Sequence, residues 1–216
     1  MPKRNYRVSD DTKRNLIEAA GELFSRHGTE AVTVRDITNL AGTKPNAISY
    51  HFGGKDGLID AVWEYALQRW KESPLERFCQ ENANLFETRD GKRQIVTDLI
   101  DIYYQNLYAN DLPLWVNMFL LRTLITGQNL EMTRNMFGHQ LLDVFCSVFQ
   151  RITGNDDRAS GLCWALNIIS PGATIAASAV NPLTHMPTQK VDYAFCRRLQ
   201  AFVTRNALFA IGLQEP

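Results

Sequence analysis

The sequence predicts an all-α protein of about nine helices: a three-helix helix-turn-helix module at the amino end, then a larger helical domain for ligand binding and dimerisation. Three observations predict it. Apolar residues recur at three- and four-residue spacing almost throughout; hardly any stretch alternates with period two; and the interruptions are short runs of turn formers such as "TRDG", "ANDLP" and "TGNDD". At 216 residues and 45% hydrophobic composition, the chain can fill a core without disulfide staples.

Ser9 or Asp10 can cap a first helix whose apolar face is Leu16, Ile17, Ala20, Leu23 and Phe24, and Gly28 stops it after His27. Thr33 offers its hydroxyl to the free amides of a second helix, Val34 to Ala41, and Asp36 three positions on completes a capping-box pair. Gly42 permits the left-handed conformation that ends it. Thr43 then caps a third short helix with Pro45 in its first turn, where a missing N–H costs nothing. Phe52, Gly53 and Gly54 break that helix, and Lys55 opens a fourth.

The fourth helix is apolar on more than one face, through Leu58, Ile59, Val62, Trp63, Ala66, Leu67 and Trp70. That suits an element shared between the small module and the rest, with Pro74 ending it. Further helices are expected over Leu75 to Phe86, Lys92 to Tyr108, Pro113 to Thr126, Met132 to Arg151, Asp156 to Ala179 and Thr188 to Ile211. The domain division is residues 1–55, including a basic arm over 1–9, and residues 56–216.

Charge and cysteine usage exclude some classes. Lys plus Arg equals Asp plus Glu at 23 each, so net charge alone implies no partner, although residues 1–55 hold nine basic against six acidic side chains. Cys79, Cys146, Cys163 and Cys196 are far apart without a C-x-x-C pair, and no charged-then-apolar leader is seen, which points to a reduced, cytoplasmic protein. Apolar runs are broken before the roughly 18 positions a spanning helix needs, so no membrane is expected as a partner.

Short helix, glycine turn, short helix, braced by a longer one, is the layout of a helix-turn-helix. It sorts the stretch "TKPNAISYHFGGKDGL" by side. Ala47, Ile48 and Phe52 stand at helical offsets from one another and from Ile37 and Ala41, the expected buried side. Lys44, Asn46, Ser49, Tyr50 and His51 are left opposite, where small and amide side chains approach base edges and Lys, Tyr and His donate to phosphate oxygens.

Residues 16 to 62 resemble the DNA-binding region of the TetR family of bacterial transcriptional regulators. The resemblance rests on the Ala-Ala…Leu-Phe…Gly pattern of the first helix, Thr33-Val34-Arg35-Asp36-Ile37, Ala41-Gly42 at the turn, Tyr50-His51-Phe52, and Lys55-x-x-Leu58. "AISYHFGGKDGL" is also similar to the CecR-like subgroup. The resemblance implies phosphate contacts from Thr33, Tyr50, His51 and Lys55, base-edge or near-base contacts from Thr43, Lys44, Asn46 and Ala47, and a further contact from Arg35. Lys3, Arg4 and Arg7 form a basic arm that can reach a groove or the backbone; a disordered tail is the competing role.

Gly53-Gly54-Lys55 also invites reading as a phosphate-cradling loop. Ser49 stands where that motif needs its first glycine, Asp56 replaces the metal-binding hydroxyl, and no strand precedes it.

In the larger domain the resemblance implies a small-molecule pocket whose occupancy moves the fourth helix. Tyr103, Tyr104, Trp115, Phe119, Arg122, His139, Cys163, Trp164 and Asn167 are the residues that can line it, with ordinary core packing the competing role for each. The histidines at 27, 51, 139 and 185 lack partners at metal-binding spacing, so no metal and no cofactor are expected. Apolar surface on the last two long helices, at Leu162, Leu166, Phe195, Leu199, Phe202 and Phe209, implies a four-helix contact between two copies. The expectation is a homodimeric repressor, not an enzyme, released from a palindromic operator on double-stranded DNA by a small molecule. The alternative from another class is an all-α small-molecule-binding protein or enzyme without DNA binding.

Overall fold

The computed structural model describes residues 3–71, 74–108, 113–127, 141–178, 184 and 192–214, with 3–9 and 69–71 described by backbone alone. Among them are ten α-helices and no strand: α1 Lys3–His27, α2 Val34–Leu40, α3 Asn46–Phe52, α4 Lys55–Lys71, α5 Leu75–Glu81, α6 Arg89–Leu107, α7 Leu114–Thr126, α8 Asp143–Thr153, α9 Arg158–Ala176 and α10 Tyr193–Ala210. The all-α class is as expected. Several boundaries differ, among them the start of the last helix, which opens at Tyr193 after the Asp192 cap instead of at Thr188. α1 begins at Lys3, ahead of the cap expected at Ser9 or Asp10, and the helix expected to run to Phe86 stops at Glu81, followed by a 3-10 turn at Ala83–Glu87.

Contacts divide the chain into two units: residues 1–68 with 115–126, and residues 69–114 with 127–216. The first unit thus extends past the expected limit at Lys55 and takes in a helix distant in sequence. Leu16, Ala20, Phe24, Ile37, Ile48, Leu58, Val62 and Val116 are fully buried apolar residues within it. From α7, the Phe119 ring lies 4.8 Å from that of Trp63, and Trp115 stacks on Tyr65 at 5.6 Å. The indole of Trp115 also covers Gly21 of α1, where an added Cβ would stand 2.5 Å from ring carbons.

In the second unit, α9 packs against α6, α8 and α10. Local sequence starts these helices: the Thr88 hydroxyl accepts from the Gly91 amide at 3.0 Å, Asp157 from the amides of Ala159 and Ser160, and Asp192 from that of Phe195. The core is built from residues such as Ile95, Leu99, Ile100, Phe145, Ala165 and Ile168. α9 is long and apolar enough, by length and composition, to cross a bilayer, which the broken apolar runs had not suggested. Here it is a core helix, with Trp164, Ala165, Ile168 and Ile169 buried.

Candidate nucleic-acid interface

The interface is assembled by short-range chemistry. The Thr33 hydroxyl accepts from the Asp36 amide at 3.2 Å, while the Asp36 carboxylate accepts from the Thr33 amide at 2.8 Å and its hydroxyl at 2.6 Å. These bonds close the capping box at the start of α2 and hold the Asp36 carboxyl below its ordinary range. At the other end Gly42 adopts φ +64, its amide donates to the Asn39 carbonyl, and the Thr43 amide donates to that of Thr38 at 2.9 Å. Two carbonyls left over at the helix end are thereby satisfied and the chain reverses tightly.

The start of α3 departs from expectation. Pro45 stands at the capping position with no side-chain bond, and the Thr43 hydroxyl, expected to cap the helix and to reach base edges, is buried with no hydrogen-bond partner among the described residues. The left-handed Gly53, φ +74, closes α3. A glycine that the sequence reading passed over, Gly57, then admits the turn into α4: a Cβ there would meet the Phe52 carbonyl oxygen at 2.0 Å. An isolated glycine inside a helical pattern is the signal that pointed to it.

These constraints present one side of α3 to solvent. Ile48 and Ile37 are fully buried, and Ala47, Phe52 and Ala41, expected beside them, are half-buried. Lys44, Asn46 and Ser49 are exposed, and Tyr50 is 81% exposed. His51 is half-buried with its ring edge-on to Tyr50 at 4.9 Å. Thr33 and Arg35 are exposed on α2, and Lys55 is half-buried in the first turn of α4, where free amides and the helix dipole favour an anion. Arg4 and Arg7 belong to the backbone of α1; their side chains lie outside the described residues.

The described residues among those expected around a ligand pocket fall in both units. Trp115, Phe119 and Arg122 belong to the first unit, where the Arg122 guanidinium donates to the Arg26 carbonyl at the end of α1. Tyr103, Tyr104 and Trp164 are buried in the second, donating to the carbonyls of Ile169, Ile168 and Ala207. Cys163 and Asn167 are exposed on α9, joined by an Asn167 amide to Cys163 carbonyl bond, and His139 lies outside the described residues. Of the expected dimer face, Leu166, Phe202 and Phe209 are exposed, the last two by 58% and 69%, while Leu162, Phe195 and Leu199 are half-buried.

A short helix buried on its apolar side, set by a glycine turn against a second and carrying amide, hydroxyl and cationic groups outward, has the layout of a helix-turn-helix. Residues 16–62 match the model of the bacterial regulatory proteins, tetR family. It is 28% identical over 76 residues to the HTH-type transcriptional regulator AcrR of Shigella flexneri, 35% of each chain. It is 36% identical over 62 residues to the regulator TtgR of Pseudomonas putida, 29% of this chain and 30% of that one. Over 100 residues it is 35% identical to the probable acrEF/envCD operon repressor of Escherichia coli K12, 46% of this chain and 43% of that one. The chain spans less than half the length of these curated relatives. Among solved structures, HlyIIR, a hemolysin II transcriptional regulator, superposes with a TM-score of 0.57 at 14% identity, over 94% of this chain and 98% of that one. A TetR transcription regulator from Haloarcula marismortui does so with 0.51 at 16%, over 95% and 98%. These two likenesses show the fold. The matches place the likeness in the amino-terminal region and do not reach the CecR-like subgroup.

Proposed function

We propose that the protein is a homodimeric, cytoplasmic DNA-binding transcriptional regulator, a repressor that a small-molecule effector releases from a palindromic operator. The observation that carries this reading is the division of α3 into a buried Ile48 side and an exposed side of Lys44, Asn46, Ser49 and Tyr50. Lys44, Asn46 and Ala47 are assigned to base edges, and Thr33, Arg35, Tyr50, His51 and Lys55 to phosphates, with Arg4 and Arg7 as further backbone contacts. Two such heads about 34–36 Å apart enter successive major grooves, whereas one head of this size makes few contacts. The exposed Phe202, Phe209 and Leu166 support pairing of two copies. Repression is supported by the name of the related operon repressor.

The test is a gel shift on the DNA upstream of the protein's own gene, with a salt series and the double variant Tyr50→Ala, Lys55→Ala. Binding should weaken steeply with salt and vanish in the double variant without loss of fold. An operator complex that survives both substitutions overturns the reading.

A further inference from the structure

A groove of about 670 Å³ opens on the second unit between α6 and α10, within the range of about 300–1,000 Å³ usual for small-molecule sites. None of the residues considered above for ligand or DNA lines it. Each helix contributes a row with a spacing of four residues: Arg93, Thr97 and Asp101 from α6, and Arg197, Ala201 and Arg205 from α10. The helices run antiparallel, because Gln200 bonds Asp101 while Gln214, farther along the chain, accepts from Arg89, nearer the start of α6. Along the α10 row, Arg197 and Arg205 flank the small Ala201, each about 6 Å from it along the axis. That is within the length of an arginine side chain, so both guanidiniums can reach a group lying over Ala201.

Arg197 and Arg205 thus line the groove with one carboxylate, and that carboxylate is engaged: the Gln200 side-chain amide donates to Asp101. Burial and then the neighbouring Asp98 hold the Asp101 carboxyl above its ordinary range, against the pull of Gln200. Leu208 and Ala201 supply apolar lining, and Thr97 and Thr204 stand beside them. A cation would meet the like charge of Arg197 and Arg205, while a purely apolar molecule would make no use of it.

We propose that this groove binds an amphipathic organic anion, a phosphate or carboxylate head held by Arg197 and Arg205 with a short apolar body along Ala201 and Leu208. The site is independent of the DNA-reading face, and its test has a readout that does not involve DNA.

Isothermal titration of the full chain with octyl phosphate, octanoate and octylammonium separates the possibilities. Saturable binding of at least one anion, with none of the ammonium, is expected; the tighter of the two identifies the head group. Arg197→Gln with Arg205→Gln should lower that affinity about ten-fold or more for each charged hydrogen bond lost. Ala201→Trp, which fills the groove but keeps both charges, should abolish binding. Both arginines are exposed, so an unchanged unfolding curve for the unliganded double variant is expected. Failure of both anions to bind saturably, equal binding of octylammonium, or undiminished affinity in either variant overturns the proposal.

Discussion

The indole of Trp115 lies directly over Gly21, ninety-four positions earlier in the chain, so closely that even a methyl group at Gly21 would stand 2.5 to 2.6 Å from three ring carbons. A glycine in mid-helix costs about 1 kcal/mol relative to alanine, and here α1 accepts that cost to let α7 approach. The Trp115 nitrogen is buried without a hydrogen-bond partner among the described residues, a further cost of the same packing.

Gly21→Ala therefore sets two effects against each other. Helix propensity favours alanine by about 1 kcal/mol, while overpacking costs about 1–3 kcal/mol. A net loss of about 1 kcal/mol in denaturant unfolding is expected. In a Trp115→Ala background the clash is gone, so the same substitution should become stabilising; a sign that does not reverse contradicts the packing described.

At the end of α1, Arg122 donates to the Arg26 carbonyl at 3.4 Å and lies 3.0 Å from where a Cβ on Gly28 would be. Removing this half-buried cation from a helix end, as Arg122→Met, should cost about 0.3–1 kcal/mol. Gly28→Ala should cost more, since Gly28 sits at φ +82 and the left-handed penalty of about 1–2 kcal/mol adds to the Arg122 clash. Thermal unfolding of the two variants gives the order.

Asp36 links the start of α2 to pH. Its carboxyl is held below the ordinary value by the Thr33 hydroxyl and amide. A depressed folded-state value means the contribution is complete above the unfolded carboxylate range near 3.8 and is lost as pH falls through the folded value. Asp36→Asn should be less stable than the parent at pH 7, with the difference shrinking on acidification below pH ~4. A gap that stays constant across a pH series of melting curves would show that the capping box does not supply it.

Phe202 and Phe209 are seven residues apart on α10 and exposed, which places them on one face. Phe202→Glu with Phe209→Glu should leave the monomer fold within about 0.5 kcal/mol of the parent per site. Under the proposed dimer, sedimentation should shift to the monomer mass, and operator affinity should fall with it. A parent chain that sediments as a monomer removes the basis for paired reading heads.

Two hydroxyls from α6 and that of Tyr108 just past its end reach carbonyls of α9 around Pro171: Tyr103 to Ile169 at 2.9 Å, Tyr104 to Ile168 at 3.2 Å and Tyr108 to Gly172 at 3.0 Å. Pro171 lacks the amide that would bond four residues back, so α9 is locally weakened. Each Tyr→Phe change should cost about 0.5–1.5 kcal/mol, and hydrogen exchange of the α9 amides following Pro171 should accelerate. No acceleration would mean the hydroxyls do not brace the helix.

What the sequence alone determined about this protein is what neighbouring residues decide among themselves. The Thr33–Asp36 box, the left-handed glycines at 42 and 53, the burial of Ile37 and Ile48 and the exposure of Lys44 and Tyr50 all follow from helix period and turn chemistry within a few positions. The reading head was legible for that reason.

The tertiary structure alone decided which distant surfaces meet. Trp115 and Arg122 have the composition of pocket residues, yet a glycine and a carbonyl on α1 claim them. Tyr103 and Tyr104 resemble polar handles, but their partners are carbonyls 66 and 64 residues onward. The Arg197 and Arg205 groove drew no notice, because an i,i+8 pair on an exposed helix is ordinary until a second helix is seen to wall it in. Helical periodicity specifies which side of a helix is apolar and carries no term for which other helix will cover it.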